Sequence, residues 1–188
     1  MAVNAVSICS NALLQLGDNP INSLTDSNDR ARLCANLYPQ IRDRMLRAHP
    51  WNCAIKRVVL APDATAPAFD WQAQFLLPSD WLKTLQVGDK YQPLSYVSEG
   101  RYILANADSL PLRYVFRNDV EGTWDSLLQD AMTLAMCVAL AYPITESTTL
   151  RESFFQQLQA ALKEARAVDG QDDPPDTFGD FPLLSSRF

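Results

Sequence analysis

The spacing of apolar residues changes twice along this 188-residue chain, and this change limits the possible fold more than any other sequence feature. In the first fifty residues and again after residue 120, apolar side chains recur every three or four positions, as in helices with one buried face. Between them, short segments alternate apolar and polar residues and are separated by turn-forming residues, as in β-strands. An apolar fraction of 47% is enough to fill a core. The sequence therefore predicts an α+β protein.

Four helices are predicted, over about residues 3–16, 27–48, 123–142 and 147–168. The first ends at Gly17, because glycine readily takes the left-handed conformation of a helix terminus. The second contains Pro39, where we expect a kink or a break, and ends before Pro50. The third is apolar nearly all round in its last two turns, which predicts that it is the most buried helix, and it should stop at Pro143.

Four short strands are expected, at residues 54–60, 82–87, 101–104 and 112–116. The short turns between them favour an antiparallel meander over parallel strands. The predicted fold is therefore mostly helical: a four-helix bundle formed by residues 1–50 and 120–168, with a small antiparallel β insert between helices 2 and 3. The insert, residues 51–119, is called the β region below.

Residues 169–188 are predicted to form a flexible, acidic C-terminal arm. The first eight hold few core-forming residues, so burial cannot offset the entropy lost on ordering them. From residue 169 onward five acidic residues and one arginine contribute −4 of the net charge of −6. Large apolar residues follow, which suggests docking on a partner: Phe178, Phe181, Leu183, Leu184 and Phe188. The alternative is that these residues pack back on the helices of their own chain.

His49, Pro50 and Trp51 stand at the junction between the second helix and the β region. A proline disfavours helical conformation in the residue before it, so His49 should close the helix. The large side chain of Trp51 directly follows. We predict that these three residues anchor the β region to the helices.

The residues that usually carry catalysis do not form a recognisable pattern. His49 is the single histidine, the glycines do not cluster into a phosphate-binding loop, and the four cysteines lack zinc or disulfide spacing. We therefore predict no catalytic, cofactor-binding or metal site and no enzyme activity. Two alternatives stay open. In the first, carboxylates of Glu99, Asp119 or Glu121 pair in space, as in a cell-wall hydrolase. In the second, the arm's aspartates form a calcium loop, although they lack the usual spacing.

The charge and the chain start suggest where the protein works. With 16 basic and 22 acidic residues, the composition does not support sequence-specific binding of nucleic acid. The N-terminus lacks the pattern of a signal peptide, and the longest nearly apolar run, residues 131–142, is shorter than the ~20 residues that span a bilayer. We expect a protein made in the cytoplasm without a membrane contact.

Several segments, taken together in their order and spacing, resemble one protein family. They are NALLQLG at 11–17, YPQIRDRMLRAHPWNCA at 38–54, FLLPSDWL at 75–82, LRYV at 112–115 and LAYPIT at 140–145. This pattern is similar to the head-to-tail adaptor (connector) proteins of tailed phages, which include tail tubular protein A of short-tailed phages. The acidic arm matches that family in character but not in motif.

The resemblance implies a structural virion protein. Such adaptors form a twelvefold ring that joins the portal protein of the head to a downstream tail protein, either a nozzle or a tail terminator. Double-stranded DNA passes through the ring without sequence-specific binding, which an acidic chain suits because it does not hold the phosphates. By this analogy the five apolar arm residues would dock on the portal, and the protein would be located in the tail or neck of the virion after assembly in the host cytoplasm.

Overall fold

The structure, a computed structural model, describes residues 3–172. The portal-docking residues proposed for the arm (Phe178, Phe181, Leu183, Leu184 and Phe188) lie outside this range. The described helices are α1 (Ala5–Gln15), α2 (Asp29–Ala48), α3 (Ser126–Thr145) and α4 (Thr148–Gln171). The strands are β1 (Ile55–Leu60), β2 (Ala73–Leu76), β3 (Trp81–Asp89), β4 (Gln92–Pro93), β5 (Tyr96–Glu99), β6 (Tyr102–Ala105) and β7 (Leu110–Phe116).

Each helix begins at a side-chain cap. The side chains of Asn4, Asn28, Asp125 and Ser147 each accept a hydrogen bond from a backbone N–H in the first turn. Such a bond satisfies one of the donors that a helix start leaves free, and it contributes about 1 kcal/mol. These polar residues therefore fix where the four helices start.

Neither internal proline ends a helix. α2 continues through Pro39 without interruption, and α3 passes Pro143, where we predicted its end, and reaches Thr145. The last turn of α3 closes instead at Glu146, which adopts the left-handed conformation (φ 55°) and donates its N–H to the Tyr142 carbonyl at 2.9 Å. A proline removes one hydrogen bond of the helix, a loss that flanking buried side chains outweigh here.

The β region forms two antiparallel sheets. One has the strand order β1-β7-β3-β4 and the other has the order β2-β6-β5. Strand β7 lies between β1 and β3, with Leu112 opposite both Val58 and Val87, so the first and last long strands are neighbours and the expected simple meander does not form. Side chains of both sheets, including the fully buried Phe75 and Ile103, pack into a second core.

The prediction of a four-helix bundle with a small β insert is therefore wrong. Over residues 3–172 the chain is an α+β protein with four helices and two antiparallel sheets of seven strands in total. The β region is too large to be an appendage, because it buries a hydrophobic core of its own. Strands β2, β4 and β5 were not predicted: β4 has two residues and β5 is exposed along its whole length, so neither shows the alternation of a half-buried strand.

α3 is the central helix and packs against α1, α2 and α4. Met132, Met136 and Leu140 are fully buried on it, whereas Val138 is partly buried and Tyr142 is exposed. By length and composition α3 is also able to cross a membrane, with a mean hydropathy of 1.5, but half of that stretch is buried inside the protein. Central helices of soluble proteins pass the same test, so this observation is weak evidence for a membrane span.

Candidate functional site

The predicted anchor residues lie at the end of α2, where Trp51 is part of the helical core. Trp51 is 1% exposed in the helical core, and its Nε1 donates a hydrogen bond to the Met45 carbonyl at 3.0 Å. His49 takes an extended conformation before Pro50, and its ring meets the Trp51 ring edge-on, with 4.6 Å between centroids. The end of α2 and the start of the β region are thus held in one arrangement.

Asp169 of α4 completes this junction. Its Oδ2 lies 3.1 Å from His49 Nε2, and its Oδ1 accepts a hydrogen bond from the Asn52 N–H at 3.0 Å. The Asn52 side-chain amide also donates to the Asp169 carbonyl at 2.8 Å. Asp169 is only 9% exposed. We call His49, Asn52 and Asp169 the C-terminal clamp, because they fix the last turn of α4 to the end of α2.

The clamp changes the interpretation of the arm. Residues 169–171, which we assigned to it, belong to α4, whose last residue is Gln171. The chain beyond Asp172 therefore starts from a fixed position beside the junction of α2 and the β region. The sequence did contain a signal for this: Asp169 continues the helical spacing of the buried residues Leu158, Leu162 and Ala165.

A second link joins the helices to the sheet through charged groups. Arg117, just after β7, and Arg42 of α2 both bind Asp43, at 2.7 and 2.9 Å. Such partly exposed ion pairs contribute little singly, but a shared carboxylate restricts the orientation of α2 against the strand. α2 is thus linked to α4 through the clamp and to the end of β7 through Asp43.

Asp80 ties together the strands of the larger sheet. It accepts hydrogen bonds from Lys56 at 2.7 Å and from the Tyr114 hydroxyl at 3.1 Å. Burial acts to raise the pKa of Asp80, but the hydrogen bonds from Lys56 and Tyr114 outweigh it and hold the pKa below its usual value. Burial, together with the nearby carboxylate, raises the pKa of Tyr114 to about 12.

The three carboxylates considered for hydrolysis occupy different surroundings. Glu121 is buried, and its Oε1 accepts a hydrogen bond from the Tyr38 hydroxyl at 2.8 Å. Burial, followed by the charge of Glu121, raises the pKa of Tyr38 above its usual range. Glu99 is exposed on β5, and Asp119 is exposed after β7. The structure thus gives Glu121 a structural role inside the helical core.

An open groove of about 820 Å³ runs between α2, α3 and α4. Its lining presents polar and apolar surface in about equal parts, and two of its aromatic residues are well exposed, Tyr142 by 52% and Phe155 by 41%. Arg44, Arg151 and Glu152 supply charges at its edge. The remaining lining residues are Leu37, Gln40, Ile41, Ala135, Val138, Ala139, Pro143 and Leu158. We call this surface the helix groove.

Comparison with known proteins gives no family. The chain matches no model of a known protein family, and no curated protein matches it significantly. Within residues 3–172, His, Cys, Asp and Glu side chains form no group of three or more placed to hold a metal ion. The resemblance to phage adaptors therefore stays a prediction.

Proposed function

We propose that this chain is a structural subunit of a phage head-to-tail adaptor, a twelvefold ring that joins the portal to the downstream tail protein and forms part of the DNA channel. The observation that carries the proposal is the C-terminal clamp. Three hydrogen bonds fix the base of the acidic, phenylalanine-containing segment to the junction of α2 and the β region. The proposal assigns the protein no catalytic step.

A fixed base is useful to a segment that docks on a partner. The 16 residues after Asp172 span at most about 53 Å when extended, which is enough to reach an adjacent subunit. If α4 frayed, part of the binding energy would be lost in ordering it again. The clamp prevents this loss, so that docking on the portal involves only the segment beyond it.

The β region offers surfaces for contacts between subunits. Strand β5 is a sheet edge, and its Tyr96 and Val97 are each 41% exposed. Phe69 and Tyr91 are exposed in the loops of the same region. Edge strands and exposed aromatic residues are liable to aggregate unless a partner covers them, and neighbours in a closed ring would do so. The net charge of −6 also suits a channel through which DNA slides.

The experiment is a binding assay on purified portal rings with three versions of the chain. The first is the full chain, the second ends at Asp172, and the third is a matched control with Ser185→Ala and Ser186→Ala. The full chain and the control should form rings on portals, whereas the shortened chain should stay folded by circular dichroism and fail to bind. Normal ring assembly by the folded shortened chain would refute the docking role.

A further inference from the structure

The helix groove leaves apolar side chains uncovered between α2, α3 and α4. Tyr142 and Phe155 are large and about half exposed, and the buried residues Ile41 and Leu158 also line the groove. Exposed apolar surface of this kind usually marks a binding site. The volume of about 820 Å³ lies within the range of about 300–1,000 Å³ that is typical of ligand sites.

The groove and the clamp involve the same two helices. One wall of the groove comes from α2, at residues 37–44, and the other from α4, at residues 151–158. The clamp joins the C-terminal ends of these two helices, through His49 and Asp169. The chain beyond Asp172 therefore starts where α2 and α4 end, and a segment that turns back along α4 enters the groove between them.

The distances match the positions of the apolar residues in that segment. Asp172 lies 14 residues beyond Leu158 on α4, or about 21 Å at 1.5 Å per helical residue. Phe178 follows Asp172 by six residues, or about 20 Å of extended chain. Phe181 is about 10 Å further along, which equals the length of the wall from Arg151 to Leu158. A segment that turned back along α4 in an extended conformation would therefore bring its two phenylalanines to the two ends of the groove.

The charges of the helix groove and of the segment that contains Phe178 and Phe181 are complementary. Arg44 and Arg151 stand at the groove, opposed by Glu152 alone among the lining residues. Phe178 is flanked in sequence by Asp176 and Asp180. An acidic segment with aromatic residues therefore complements a groove with apolar lining residues and a mainly basic edge.

We infer that, in the free protein, the segment containing Phe178 and Phe181 occupies the helix groove of its own chain. A short linker gives such a segment an effective concentration of about 1 mM, so an intrinsic dissociation constant of about 100 µM leaves roughly nine chains in ten closed. The inference concerns the protein alone and does not depend on the proposed function. If the segment also docks on a portal, the portal must first compete with the groove.

The test uses the full chain with a photoreactive benzophenone amino acid in place of Phe155. Irradiation should give a product of monomer mass in which tryptic peptides 152–163 and 167–187 are joined. The yield should not change with protein concentration between about 1 and 100 µM, because the contact is intramolecular. Placing the same group at Tyr91, an exposed residue of the β region, supplies the background.

Two variants make the result specific. Phe178→Ser together with Phe181→Ser should lower the yield about fivefold, because both apolar contacts are removed. Ser185→Ala together with Ser186→Ala should leave it unchanged. A product of dimer mass would show that a second copy supplies the segment, and a yield no higher than at Tyr91 would show that the groove is empty; either result overturns the inference.

Discussion

Removing the carboxylate of Asp169 should destabilise the protein although this residue lies near its C-terminal end. The substitution Asp169→Ala deletes the acceptors for His49 Nε2 at 3.1 Å and for the Asn52 N–H at 3.0 Å. Hydrogen bonds to a charged group are worth about 1.5 kcal/mol each. Against this, a negative charge in the last turn of a helix is unfavourable by about 0.5 kcal/mol, so its removal returns part of the loss. The net expectation is a loss of about 2 kcal/mol.

The measurement is urea unfolding of the full chain, followed by circular dichroism. A loss of about 2 kcal/mol corresponds to a fall in Tm of about 4–8 °C for a chain of this size. Asp172→Ala is the matched control, since it removes the same charge from the C-cap position of the same helix, where the side chain is exposed. That variant should be unchanged or more stable by about 0.5 kcal/mol. Equal free energies of unfolding for the two variants would refute the clamp.

Five further substitutions test the fold. Gly88→Ala should lower the free energy of unfolding by at least about 3 kcal/mol, because φ is +86° there and a Cβ would lie 2.5 Å from a backbone oxygen of β4. Gly100→Ala, which has open space around it, should lower it by about 1 kcal/mol. The urea unfolding midpoints of the two variants measure this difference. The interactions that lower the pKa of Asp80 stabilise the fold above the unfolded pKa of about 3.9, and this contribution is lost as the pH falls through the folded pKa. Asp80→Asn should therefore be less stable than wild type at about pH 7, and the difference should shrink as the pH falls below about 4. Lys56→Met should reduce the acid dependence in the same titration, and unchanged curves would contradict this assignment. Trp51→Phe, which loses the hydrogen bond to the end of α2, should lower the free energy of unfolding by about 2 kcal/mol without changing the far-ultraviolet spectrum.

The helices could be predicted from the sequence because they carry both signals that helices need. Their apolar residues recur at the helical period, and polar residues such as Asn28 and Ser147 stand at their starts as caps. The ends were less predictable. Pro143 is a strong stop signal, yet α3 continues past it, because a proline in the last turn costs little once the preceding turns are buried.

The β region was underestimated for a different reason. β5 is exposed at all four positions and β4 has only two residues, so the hydrophobic pattern that reveals half-buried strands is missing. The pairing of β1 with β7 joins residues about sixty positions apart, and no local pattern specifies such a contact. The size of the β region and the order of strands in its two sheets therefore depend on long-range packing.

The sequence predicted the part of the junction at the end of α2 but not the contribution of Asp169. His49 and Trp51 could be placed at the helix end because Pro50 marks it. Asp169 was assigned to the arm because an aspartate followed by Gly170 and several acids is typical of solvated chain. Its burial depends on partners 117 and 120 residues away, which single-sequence reasoning does not identify.

The most direct test of the proposed function is electron microscopy of the full chain mixed with purified portal. We predict a ring of twelve copies on the portal, with the phenylalanines that follow Asp172 in contact with portal protein. A mixture without rings, or rings in which residues 173–188 contact only their own subunit, would contradict it.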